Sequence, residues 1–223
     1  MTETVERKEK PKLFGIITSP NETMDRIKEN PKVLIPLLVV MAISILSAFI
    51  GINAVDVSSM AGADIPAEEA EMFELFTKIS AVVFGIITPP IILLISTLIY
   101  LAITKIAGTG AKFKQLFSLS TYIGLITAIG TLLNTIIISI VGISSDSVSF
   151  TSLNAIVGAE GALSGFLSSI EVFAIWSTIL SAIGLERVGG LSKRAAWIVT
   201  IILFAIGVLF STFSAAASSM MGA

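Results

Sequence analysis

Five long apolar runs, parted by short clusters of charge, constrain this chain more than any other feature. They cover roughly 33–52, 79–104, 116–143, 163–185 and 195–217. Each meets or exceeds the roughly 20 residues that an α-helix needs to cross about 30 Å of hydrocarbon. A soluble core does not segregate charge in this way. Only 13% of the 223 residues are charged, and almost all of them fall between the runs. The expected fold is all-α: a polytopic five-helix transmembrane bundle with short amphipathic helices before it. A charged head over 1–32 precedes a membrane domain over 33–223. The first run starts too late and is too long for a cleaved secretory signal, so it reads as a retained span.

Orientation follows from the basic residues. The head holds Arg7, Lys8, Lys10, Lys12, Arg26, Lys28 and Lys32. The loop after the second run holds Lys105, Lys112 and Lys114, and the loop after the fourth holds Arg187, Lys193 and Arg194. Lys78 is the only one of the 14 basic residues elsewhere. The positive-inside rule places the three basic segments in the cytoplasm, which leaves the C-terminus on the opposite side. The first outer loop is acidic, with Asp56, Asp64, Glu68, Glu69, Glu71 and Glu74. Behind Pro66, the apolar Met72, Phe73, Leu75 and Phe76 recur at near-helical spacing. They predict a helix that starts outside the membrane and runs into the second span.

The head has its own local pattern. Lys12 leads into Leu13-Phe14-Gly15-Ile16-Ile17, which suits a short segment lying at the membrane interface. Ser19-Pro20-Asn21-Glu22 reads as an N-cap, a first-turn proline and a capping-box glutamate. A short helix should follow, with Met24 and Ile27 on its apolar side, and end near Asn30-Pro31. Phe14, Pro20, Thr23, Ile27 and Pro31 form the surface expected to meet a cytosolic partner or membrane lipids. Lys112, Lys114, Arg187, Lys193 and Arg194 extend that surface from the two basic loops.

Ordinary catalysis lacks its usual groups. The chain has no Cys and no His. Thiol nucleophiles, disulfides and the common ligands of zinc, copper and haem are therefore missing. Gly108-Thr109-Gly110-Ala111-Lys112 lacks the Walker spacing, a Ser or Thr after the lysine, and a preceding strand. It reads as a turn that keeps Lys112 and Lys114 beside anionic headgroups. No enzymatic activity, cofactor, metal or nucleic-acid partner is expected.

One polar constellation stands out inside the runs. Glu171 is the only acidic residue well within one. Counted from the outer ends at about 1.5 Å per residue, Glu171, Asn134 and Pro89-Pro90 fall at similar depths near mid-membrane. A carboxylate there must be protonated or partnered. The prolines free backbone carbonyls to which a protonated Glu171 could donate, with Asn134 as the alternative. The group reads either as a static hydrogen-bonded clamp or as a proton- or ion-responsive site. Gly161 with Gly165 has GxxxG spacing, and Gly124 with Ala128 forms a second small pair. Packing within the chain is the expected use of both, with a homo-oligomer as the other.

An ordered set of residues carries a family likeness. It begins with Phe14, Ser19-Pro20, Thr23, Ile27, Asn30-Pro31 and Pro36, then continues through Gly108-Thr109-Gly110, Phe113, Leu116 and Tyr122. Glu171, Phe173, Trp176, Gly184-Leu185, Ser192-Lys193 and Ala195 complete it. In this the chain resembles the YIP-domain family, named for proteins that interact with Rab-type (Ypt) GTPases, and particularly its short bacterial branch. The resemblance implies no catalytic reaction. It implies a multi-pass protein of the bacterial cell membrane that acts as accessory, scaffold or assembly factor for another membrane complex. Subunits of an ABC-type efflux or antimicrobial-peptide-resistance transporter are the partner it suggests. The Asp-Leu-Tyr-Gly-Pro motif of eukaryotic relatives is absent, so a Rab partner is not expected. The rival expectation is a proton, ion or small-solute transporter or channel centred on Glu171, Asn134 and Pro89-Pro90.

Overall fold

Backbone that crosses hydrocarbon must satisfy its own polar groups, and the apolar runs accordingly become helices. The computed structural model describes residues 9–54, 67–141 and 149–221. The head contains α1 (Gly15–Thr18) and α2 (Pro20–Glu29). Three long helices follow: α3 (Leu34–Ala54), α4 (Ala67–Ile106) and α5 (Phe113–Val141). After them come α6 (Asn154–Val157), α7 (Gly161–Ser169), α8 (Val172–Arg187) and α9 (Lys193–Met220). Among the described residues, four helices (α3, α4, α5 and α9) are long and apolar enough to cross a membrane.

The expected helix running from the acidic segment into the second run is α4. Glu68 and Glu69 sit in its first turn, where the helix dipole favours negative charge. Its 40 residues rise about 60 Å, well beyond the hydrocarbon thickness. Pro66, Asp56 and Asp64 lie outside the described residues.

The fourth run departs from expectation. It is not one helix over 163–185, because α7 stops at Ser169 and α8 starts at Val172. At about 1.5 Å per residue, neither piece alone crosses about 30 Å. The two pieces nevertheless lie along successive parts of α9. Gly161 and Gly165 of α7 face Ser219, Ser211 and Ala215 near the end of α9. Ser177, Thr178 and Ser181 of α8 share a cleft with Thr200, Leu203 and Phe204 nearer its start.

Small residues set the closest approaches. A Cβ at position 165 would overlap the Ser211 carbonyl oxygen and stand 2.8 Å from the Ala215 Cβ. Ser211 Oγ donates to the Gly165 carbonyl at 3.0 Å, so α7 packs against α9 within one chain. A Cβ at Gly124 would lie 2.7 Å from Leu93 of α4, beside the buried Ala128.

The core sits where the head meets the bundle. Leu116, Leu119, Tyr122 and Ile126 of α5 are buried with Leu180 of α8 and with Ile16, Met24 and Ile27 of the head. Burying one such side chain from water is worth about 1.5–3 kcal/mol. Polar ties add direction. Tyr122 Oη donates to the Pro11 carbonyl at 3.0 Å, and Ser118 Oγ to the Lys32 carbonyl at 2.8 Å. Arg187 Nη1 reaches both oxygens of Asp25, at 2.9 and 2.7 Å. Gly190, in the turn before α9, closes on Thr109 in the turn before α5. The basic segments that alternate along the sequence thus gather at one end of the molecule.

Several expectations for the head need correction. Ser19 starts α2 with no side-chain cap, and Glu22 pairs with Arg26 at 2.6 Å instead of closing a capping box. Pro20 does occupy the first turn, and α2 ends before Asn30 as anticipated. Thr23 and Ile27, expected to face a partner, point inward with 2% and 0% exposure. Thr23 is drawn in because Gly15 has no side chain: a Cβ there would stand 2.5 Å from Thr23 Oγ1.

Candidate functional site

The break between α7 and α8 organises the main polar site. Ile170 (φ −85°, ψ 80°) and Glu171 (φ −124°, ψ 141°) leave the helical conformation. Such a break strips backbone groups of intrahelical partners. Glu171 supplies one replacement, because its Oε2 accepts from the Ala174 N–H at 2.7 Å and caps α8. The segment after α5 supplies others. Leu153 N–H donates to the Ile170 carbonyl at 2.9 Å, and Val172 N–H donates to the Thr151 carbonyl at 3.2 Å. Together they form an isolated antiparallel bridge between Ser152 and Glu171.

Thr151 is the hub of the side-chain network. Asn134, on α5, donates from Nδ2 to Thr151 Oγ1 at 2.8 Å and to the Gly130 carbonyl at 3.0 Å. Asn134 Oδ1 accepts from the Thr151 N–H at 3.2 Å. The Thr151 hydroxyl in turn donates to Glu171 Oε1, with Ser149 Oγ 3.3 Å away. A chain of donors therefore runs from Asn134 through Thr151 to Glu171 and joins α5, the 149–153 segment and α8. The expectation that Glu171 itself donates is reversed, since both of its carboxylate oxygens accept. Gly130 makes room for this seam, where any Cβ would lie 2.6 Å from the Phe173 ring.

The network borders a cleft of about 450 Å³ lined further by Thr127, Thr131, Ser168 and Ser169. Its polar lining is hydroxyl, amide and carboxylate oxygen. Among the described residues no group of three or more His, Cys, Asp or Glu side chains is placed so that it could hold a metal ion. Oxygen-rich linings of this kind suit hard cations, protons and water better than transition metals.

Pro89 and Pro90 do not join this site. Pro89 lines a second cleft, of about 330 Å³, among α3, α4 and α5, with Ser44, Thr88 and Leu93. Thr127 and Thr131 of α5 border both clefts, so α5 stands between the prolines and Glu171. The cause is Gly85, one turn before Pro89. Its missing side chain lets that face of α4 rest on α3, with the Ser44 carbonyl 3.4 Å from where a Cβ would be. The expected grouping of the prolines with Glu171 is therefore corrected: neither lines the Glu171 cleft, and Pro89 faces a different one.

At the basic end, Phe14 is 76% exposed, and Pro20 and Pro31 are half-buried. Lys193 and Arg194 are exposed in the first turn of α9, whereas Arg187 is engaged by Asp25. Lys112, Lys114 and Pro31 line a groove of about 700 Å³ together with Lys28. Sequence reasoning missed Thr151 and Asp25, whose partners are distant in the chain, and Ser149, which reaches the network only through Thr151. Tyr122 was noted for its family likeness but not for its bond to Pro11.

Comparison with known proteins follows the same outline. The family model described as the Yip1 domain matches residues 14–214. Membrane protein YknW of Bacillus subtilis (strain 168) is 40% identical over 222 residues, covering 96% of this chain and 94% of the relative. No solved structure matches the chain.

Proposed function

The chain belongs to the Yip1-domain family, and we propose that it is a non-catalytic accessory, scaffold or assembly factor for another membrane complex. The partner class is an ABC-type transporter of efflux or antimicrobial-peptide resistance. In this reading the chain sits in a bacterial cell membrane and crosses it five times. α7 and α8 make the fourth crossing in two pieces, the N-terminus is cytoplasmic and the C-terminus is outside. The observation that supports it is the fixed attachment of the head. Burial of Met24 and Ile27 and the bidentate Arg187–Asp25 pair merge head and basic turns into one preformed face, with Phe14 projecting from it. A preformed face loses less ordering entropy on association than a free tail does.

The test is purification from native membranes in mild detergent, with crosslinking and mass spectrometry. Stoichiometric recovery of transporter subunits is expected, reduced by Phe14→Asp and lost on deletion of 1–32. Recovery of this chain alone, in a defined oligomer, would sink the proposal. A second reading, a proton- or ion-conducting protein, is favoured by the donor chain from Asn134 to Glu171 beside an oxygen-lined cleft. Flux across reconstituted vesicles that disappears in Glu171→Gln would select it.

A further inference from the structure

Three ammonium groups converge where the head meets the turn between α4 and α5. Lys28 of α2, Lys112 and Lys114 line the same groove of about 700 Å³. Gln115 joins its two sides. Its Nε2 donates to the Lys28 carbonyl at 2.7 Å, and its Oε1 accepts from the Lys112 N–H at 2.9 Å. Two carboxylates also line the groove. Asp25 already engages Arg187 through both oxygens, which leaves Glu29 against three lysines. Among the described residues none of these lysines has an ion-pair partner, while Arg26 of the same helix has two. The groove therefore carries an uncompensated positive excess, shared between two elements that have to stay together. Like charges across that seam oppose docking unless an anion lies between them.

The surroundings indicate which anion. Phe113, between Lys112 and Lys114 at the start of α5, is exposed, and so is Ile106 at the end of α4. They continue the apolar faces of two membrane-crossing helices. Apolar side chains next to lysines mark the boundary between hydrocarbon and headgroups. We propose that this groove binds the phosphate headgroup of an anionic phospholipid and that the bound lipid fastens the head to α5. A lipid with two phosphates, such as cardiolipin, matches the excess charge best. Its phosphates lie between Lys28 and the Lys112–Lys114 pair, and its acyl chains run along α4 and α5.

The full chain, purified in uncharged detergent, is titrated with cardiolipin, phosphatidylglycerol, phosphatidylcholine or inorganic phosphate while its thermal midpoint is followed. The two anionic lipids should raise the midpoint by on the order of 3–6 °C at tenfold above their Kd. Phosphatidylcholine and inorganic phosphate should leave it unchanged. Lys112→Gln combined with Lys114→Gln should abolish the shift, whereas the corresponding double arginine variant and Lys193→Gln should retain it. Because the chain has no cysteine, spin labels at Asn21→Cys and Lys105→Cys report the distance from head to α4 without background. The distribution of that distance should be measurably narrower in nanodiscs containing cardiolipin than in nanodiscs of phosphatidylcholine alone, on top of the docking that Met24 and Ile27 already provide. Equal stabilisation by inorganic phosphate would overturn the lipid assignment, as would a shift that survives in the double glutamine variant. A distance unaffected by cardiolipin would overturn the fastening role.

Discussion

From Leu116 to Ile126 the inward face of α5 is sealed, whereas farther along the same helix Leu133 is 40% and Ile140 78% exposed. The first half is covered by the head and by α8, and its core could belong to a soluble protein. The second half is flanked by clefts and joined to its surroundings through Asn134. Water explains the contrast. A head segment leaving water gains the full hydrophobic term on docking. Helices already in hydrocarbon gain nothing from that term and depend on close packing and hydrogen bonds. One end is accordingly closed by Met24, Ile27 and Leu119, and the other by Thr151, Asn134 and glycine-mediated contacts.

Substitutions can test that division. The largest effect is expected from Met24→Asp, which places a carboxylate in the sealed core at a cost on the order of 4 kcal/mol. The head should come loose and become sensitive to limited proteolysis while α3–α9 stay protected. Retained protection would show that the head does not rely on burial. Next is Thr151→Val, which leaves Glu171 Oε1 and one Asn134 donor position unmatched and should cost about 1–3 kcal/mol. Denaturant titration in detergent micelles reads it, and a neutral result would remove the polar clamp as the tie at that end. Glu171→Gln keeps an acceptor for the Ala174 N–H, and the Thr151 hydroxyl can rotate to receive the new amide, so a loss of about 1 kcal/mol is expected. The smallest effect belongs to Arg187→Ala. Its ion pair with Asp25 is partly exposed, so it should contribute about 0.5 kcal/mol and fade as salt rises. A larger, salt-insensitive loss would mean that Arg187 acts mainly through packing.

Helices α3, α4, α5 and α9 were legible in the sequence because an uninterrupted apolar run is a local property that hydrocarbon requires. The break at Ile170–Glu171 was not. Ser168-Ser169-Ile170 contains neither Gly nor Pro, and a glutamate in an apolar run reads as a buried charge before it reads as a cap. What stabilises the break is Thr151, 20 residues from Glu171 and 17 from Asn134. A one-dimensional pattern does not contain such a partner. Arg187 shows the same limit, since its placement in a basic loop suggested lipid or partner contact and its carboxylate lies 162 residues away. Residue counting placed Pro89 and Glu171 at one depth. It had no means of fixing the rotation of α4, which Gly85 sets through its contact with α3.

The seam between α7 and α9 also imposes an order of events on a chain made from its N-terminus. Asn134, Thr151 and Glu171 are all synthesised before α9 begins at Lys193, so the clamp can close first. α7, nine residues long, has no wall for Gly165 until Ser211 and Ala215 emerge. A nascent chain halted between these points holds a satisfied break beside an open flank on α7.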